Sequence, residues 1–164
     1  MTDEHAAASR PNEDDIDLRP PGLIRFGLSR AIQVHSEEVR AKHPSLHLTL
    51  DLVEDEQLLD DETVRVLYGV YLESLRNALR HGQASRVEVR YHPDGDEMVL
   101  EIEDNGQGFS VPDDWLVFTR QHKFGLARLR QQAAAQGGKL SVASAAGQGT
   151  TVTMRVPIKP DAPR

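Results

Sequence analysis

Between Val64 and Leu79 the apolar residues Val64, Leu67, Tyr68, Tyr71, Leu72, Leu75 and Leu79 recur every three or four positions, while on both sides of this stretch the apolar period drops to two. That alternation asks for helices laid on a sheet. Upstream, Leu46, Leu48, Leu50 and Leu52 alternate with polar neighbours, the mark of a half-buried strand. Downstream, residues 85–91 and 98–103 read as two strands, and the turn-prone Pro93, Asp94, Gly95 and Asp96 between them predict a hairpin. An earlier helix spans Leu23 to His43, with Leu23, Phe26, Gly27, Ile32 and Val39 as its inner stripe and Pro44 as its stop. Asp60 or Asp61 caps the 64–79 helix, which ends near Gly82. A third helix runs from Phe124 to Gln136 and closes at Gly137 and Gly138. Residues 139–143 and 150–156 form two last strands around a turn at 146–149. This order predicts an α+β fold: one sheet covered by helices on one face, its last four strands antiparallel neighbours.

At 164 residues the chain is long enough for one domain with a real core. No uninterrupted apolar run approaches the ~18 residues of a membrane span, and the start lacks the basic-then-apolar order of a signal peptide. Residues 1–16 are polar and acid-rich and read as a loose tail. The absence of cysteine excludes disulfides, thiolate metal sites and cysteine nucleophiles, and fits a reducing compartment. A net charge of −7 argues against nucleic acid or an anionic membrane as principal partner, so an anion must be met by a local cluster.

Four segments carry candidate chemistry. On the middle helix Glu73, Asn77, Arg80 and His81 can lie along one flank. A carboxamide suits a hard cation such as Mg²⁺, a carboxylate can orient water or take a proton, and a guanidinium can screen phosphate. A plain solvent-facing stripe would look the same. Asp104, Asn105, Gly106, Gln107 and Gly108 follow a strand directly; the glycines Gly106 and Gly108 allow a bend with positive φ and close approach to a ligand. An acid there can accept from an exocyclic amine such as that of adenine, although an Asp-Asn-Gly turn without ligand is the simpler alternative. Ser110 to Lys123, a polar stretch of 14 residues in all without clear period, is a candidate lid. Its end is basic (Arg120, His122, Lys123) and leads into Gly125 and Leu126, where unpaired helical N–H groups can receive an anion. Finally, Gly147, Gly149, Thr150 and Thr151 make a tight turn with a hydroxyl free to face a neighbouring ligand, as an ordinary hairpin turn also would. Neither Gly-x-x-x-x-Gly-Lys-Ser/Thr nor Gly-x-Gly-x-x-Gly occurs.

Taken in order, these pieces resemble the N, G1, G2 and G3 boxes of the GHKL ATPase superfamily of gyrase, Hsp90, histidine kinases and MutL. Asn77 and Asp104 are 27 residues apart, and Asp104 and Gly125 are 21 apart. More narrowly, Leu18-Arg19-Pro20-Pro21-Gly22-Leu23, Gly27-Leu28, Glu73-x-x-x-Asn77-Ala78-x-x-His81 and Phe124-Gly125-Leu126 leading to Gly137-Gly138 look like sensor histidine kinases of the NarX, DesK and DosS type. The resemblance implies a Bergerat-type two-layer α/β sandwich with a mixed sheet, occupying residues 17–160 and binding Mg-ATP between the middle helix and the lid. It implies that Asn77 ligates Mg²⁺, Glu73 is the N-box acid, Asp104 reads the adenine amine, Gly106 and Gly108 shape the base pocket, and Lys123, Gly125 and Leu126 belong to the phosphate lid. Arg80 and His81 match positions near phosphate or ribose, and Thr150 matches the G3 hydroxyl. Two positions depart from the pattern: Arg128 replaces a frequent lid glycine, and Leu72 a frequent glutamine.

The implied function is transfer of the ATP γ-phosphoryl to a histidine on a dimerisation domain, with relay to a NarL-type response regulator, in the bacterial cytoplasm. Such kinases follow the acceptor histidine with Asp or Glu, and none of His5, His35, His43, His47, His81, His92 and His122 is so followed. Each reads instead as a surface or site histidine, and the acceptor helices are expected upstream in a longer protein. An anti-sigma-type serine/threonine kinase and a non-catalytic nucleotide-sensing module are the alternatives.

Overall fold

The computed structural model describes residues 23–54, 58–114 and 124–159. The tail at 1–16, the motif residues 18–22 and the lid residues 115–123, with Arg120, His122 and Lys123, lie outside the described residues. In chain order the elements are α1 (Leu23–Lys42), β1 (His47–Leu52), α2 (Asp61–Arg80), β2 (Arg86–Asp94), β3 (Glu97–Asp104), α3 (Phe124–Ala135), β4 (Lys139–Ser144) and β5 (Thr150–Pro157). The five strands form one mixed sheet in the order β1-β2-β3-β5-β4. Only β1 and β2 run parallel; β2-β3, β3-β5 and β4-β5 are antiparallel, as the strand pattern predicts.

Register sorts the two faces. Val89 pairs with Ile102, Tyr91 with Leu100, Ile102 with Val152 and Leu100 with Met154, so one face is apolar and buried. The alternate residues Glu88, Arg90, Glu101 and Glu103 face outward, with Arg90 2.7 Å from both Glu101 and Glu103. Helix α2 packs on the sheet against β3 and β5 and is flanked by α1 and α3, which pack on β1 and β4. Its buried surface is therefore wider than the predicted stripe: Val66, Val70, Ser74 and Ala78 are enclosed as well, while Val64 and Leu79 are only half-buried. Leu72, in place of the frequent glutamine, is a core residue.

Two local expectations change. Phe26, assigned to the inner stripe of α1, is 62% exposed, and Leu28 is buried instead. Gly27 has φ 82 and ψ 169, so the first turn is out of phase with the rest of α1; Phe26 turns outward and lies under the Arg25 guanidinium, 5.4 Å away. In the hairpin, pairing continues to Asp94 and Glu97, which places Pro93 in the strand and leaves a two-residue turn at Gly95 and Asp96.

Asp60 is the N-cap of α2: its Oδ1 accepts from the Thr63 amide at 2.8 Å, and its other oxygen pairs with Lys159. The Lys159 ammonium and the Thr63 bonds hold its pKa down to about 2. Asp60→Ala should cost about 1 kcal/mol, read as a lower urea midpoint, while Asp60→Asn keeps the cap and most of the stability. Because the folded pKa lies below the unfolded value of about 3.9, the stabilisation is complete above that pH and disappears as pH falls toward about 2.

Candidate functional site

The C-terminal half of α2 and the bend after β3 meet because three backbone segments are stitched together. Asn105 Oδ1 accepts from the amides of Ser85 (3.0 Å) and Arg86 (2.8 Å), and its Nδ2 donates to Ser85 Oγ at 2.9 Å. Gln107 N donates to Gly82 O at 2.8 Å, which ties the bend to the exit of α2, and Gly147 N donates to Gln107 O, which ties the β4-β5 turn to the bend. Between them opens a cleft of about 520 Å³, a figure that includes the open solvent at its mouth. Ile102, Phe109, Leu126 and Val152 supply apolar walls; Ser74, Asn77, His81, Asp104 and Thr150 supply the polar groups.

Asp104 ends β3 directly opposite Thr150 on β5. Its Oδ1 accepts from Gly106 N at 2.8 Å. Burial raises its pKa above the usual carboxylate value, and backbone hydrogen bonds from Gly106 and Thr150 oppose that rise. Beside it, Ser144 Oγ accepts from Phe109 N (2.9 Å), donates to Gly149 O (2.8 Å) and lies 2.9 Å from Thr150 Oγ1. With the single Ser144 proton on the Gly149 carbonyl, Thr150 must donate to Ser144, so Thr150 Oγ1 offers only lone pairs elsewhere. The Asp104 carboxylate and the Thr150 hydroxyl therefore both act as acceptors, which suits a ligand that presents an amine.

Of the predicted site residues, Asn77, His81, Asp104, Gly108, Leu126 and Thr150 line this cleft. Glu73 is beside it, against the start of α3: a Cβ built on Gly125 would lie 2.4 Å from the Glu73 carboxyl carbon. Its carboxylate is also 3.8 Å from Arg76, a cation the motif reading did not single out. Arg80, the last residue of α2, is exposed and is not among the residues that line the cleft. Lys123 lies outside the described residues. The bend glycines differ from expectation. Only Gly108 has positive φ (61); Gly106 is buried, and a Cβ there would stand 2.7 Å from Gly82 O. Gly106 is thus required by contact with the protein's own backbone. His35, read as surface or site histidine, instead packs edge-on against Tyr68 and Tyr71 between α1 and α2, with Nδ1 3.0 Å from Tyr71 Oη, and burial lowers its pKa. Sequence reasoning missed Ser74 and Ser144, since neither belongs to a box.

The fold is thus a mixed sheet with a cleft between α2 and a strand-end acid, and the family match gives its class, an ATPase. Residues 62–160 match the family described as "Histidine kinase-, DNA gyrase B-, and HSP90-like ATPase", more than half of the chain, and the chain belongs to that family. ATP is the nucleotide of that family. Among curated relatives, oxygen sensor histidine kinase NreB of Staphylococcus carnosus is 30% identical over 87% of this chain and 40% of its own. Sensor histidine kinase LiaS of Bacillus subtilis is 29% identical over 96% of this chain and 42% of its own. The chain thus spans about two-fifths of the length of these relatives. Among solved structures, the mycobacterial sensor histidine kinase MprB superposes with a TM-score of 0.63 at 25% identity, covering 81% of this chain and 95% of that one. No described helix is long and apolar enough to cross a membrane.

Proposed function

We propose that this chain is the ATP-binding catalytic domain of a two-component sensor histidine kinase. The observation that carries the reading is that Asn77 and Asp104, far apart in sequence, line one cleft. The donor set fits the nucleotide: Asp104 accepts from the adenine amine, the apolar walls take the base, and His81 stands toward the ribose and phosphates. Asn77, a carboxamide on the cleft wall, is the residue that would hold a divalent cation, and Mg²⁺ when bound neutralises phosphate charge. Glu73, next to Gly125, polarises the incoming imidazole of the acceptor histidine. Lys123 and the N-terminal turn of α3 act at the phosphates, and Arg80 acts from the helix end once the phosphate chain extends beyond the cleft. The acceptor histidine belongs to a dimerisation and phosphotransfer domain elsewhere in the full-length protein, and the relay runs to a NarL-type response regulator in the cytoplasm. The likeness to sensor kinases over 87% to 96% of the chain supports this reading over a serine/threonine kinase.

Calorimetric titration with ATP and GTP, with and without Mg²⁺, tests it. Asn77→Ala should remove the Mg²⁺-dependent part of ATP affinity, tenfold or more by order of magnitude for a metal ligand or its partner, and leave the melting temperature within a few degrees. Radiolabel transfer from ATP to an added acceptor domain tests the kinase step. ATP affinity indifferent to both Mg²⁺ and Asn77 would overturn the proposal.

A further inference from the structure

Ser74 lies on α2, one turn before Asn77, and is 4% exposed. Its Oγ is fully shielded and has no hydrogen-bond partner; among the described residues no other side-chain polar atom is in that position. A buried helical serine ordinarily returns its hydroxyl to the carbonyl four residues earlier, and Ser74 does not. An unmet buried hydroxyl is a standing penalty, and alanine is the better helix former. The ligand-free protein would therefore be more stable with alanine here. The residue lines the same cleft as Asp104 and Thr150.

The polar inventory of the cleft says what the hydroxyl is for. Asp104 and Thr150 both present acceptors, so they match the amine of an adenine. The ring nitrogens of the same base are acceptors and need a donor. Ser74 Oγ–H is a donor with no other partner. We propose that Ser74 is a specificity-determining residue whose hydroxyl, shielded in the ligand-free chain, turns about χ1 toward the cleft when adenine binds and donates a hydrogen bond to a ring nitrogen of the base, directly or through one water. This rests on the reading of the cleft as the ATP site. Ser74 touches the base and takes no part in phosphoryl transfer.

The test uses the whole chain and Ser74→Ala, titrated with ATP, ADP and the 1-, 3- and 7-deaza analogues of ATP, each of which lacks one ring nitrogen. Ser74→Ala should weaken ATP and ADP equally, by about fivefold to tenfold, the size of one net hydrogen bond. One deaza analogue should bind the unaltered chain more weakly by a similar factor and be insensitive to the substitution; the other two should still feel it. The nucleotide-free Ser74→Ala protein should melt at the same or a higher temperature, which a merely structural serine would not allow. Affinity for ATP within twofold of the unaltered chain overturns the assignment, as does an equal loss for all three analogues or a fall in ligand-free stability. If the unaltered chain binds no ATP, the ATP-site reading falls and takes this assignment with it. If it binds ATP and Ser74→Ala binds alike, only the role of Ser74 falls.

Discussion

Asp104→Asn is expected to lower ATP affinity by about tenfold to a hundredfold without unfolding the protein. Asparagine keeps the oxygen that accepts from Gly106 N, 2.8 Å away. It replaces the other carboxylate oxygen with an amide nitrogen, so a donor meets the adenine amine and the charge is lost. Hydrogen bonds to charged groups contribute about 1.5–3 kcal/mol, which sets the factor. GTP, whose O6 accepts, should lose less or gain, and the ATP-to-GTP ratio should fall toward unity. The substitution should not destabilise the ligand-free fold. Burial raises the Asp104 pKa above its unfolded value, so the unfolded chain releases this proton first, and stability attributable to Asp104 declines as pH rises through that interval. A neutral asparagine removes that decline. In the unaltered protein, acidification should weaken ATP binding before an ordinary aspartate would take up its proton, because binding needs the ionised form. Equal ATP affinities of the unaltered and Asp104→Asn proteins would sink adenine recognition at this position.

Gly149→Ala should have the largest effect on the fold. Gly149 has φ 74, and a Cβ there would lie 2.0 Å from the Asp104 carbonyl oxygen, a backbone atom that cannot rotate away. Strain of φ costs about 1–3 kcal/mol and the overlap adds to it, for a loss of about 3 kcal/mol or more and a melting temperature lower by about 10 °C. Because the displaced atom belongs to Asp104, whatever remains folded should also lose ATP. Gly147→Ala is the control. Gly147 has φ 77 with nothing within 4 Å of an added Cβ, so only the φ cost applies and ATP binding should persist. Similar melting temperatures for the two variants would mean that the contact with Asp104 is unimportant.

The elements themselves are legible because periodicity is local. Alternation in residues 46–52 and the three-to-four spacing from Val64 to Leu79 each report which face meets the core, and the structure puts β1 and α2 there. Phase is less local. Gly27 looks like one more small residue on a helical stripe, and only its non-helical φ and ψ turn Phe26 to solvent. The polar residues divide the same way. Asn77 and Asp104 stand out because their types and spacing match a nucleotide site, whereas Arg80, on the same flank, points to solvent. Ser144 sits in an unremarkable strand end, yet its hydroxyl joins Phe109, Gly149 and Thr150. Ser74 looks like any serine in a helix.

From the amino-acid order alone came the secondary structure, the family and the choice of Asp104 and Asn77, both of which line the cleft, since each depends on residue type and short-range spacing. The tertiary structure alone decided that Glu73 rests against Gly125, that Gly106 yields to Gly82 and that the Ser74 hydroxyl is enclosed without a partner. Those facts depend on which atoms from distant segments come within a few ångströms of each other, and that distance is written only when the sheet register and helix packing are complete.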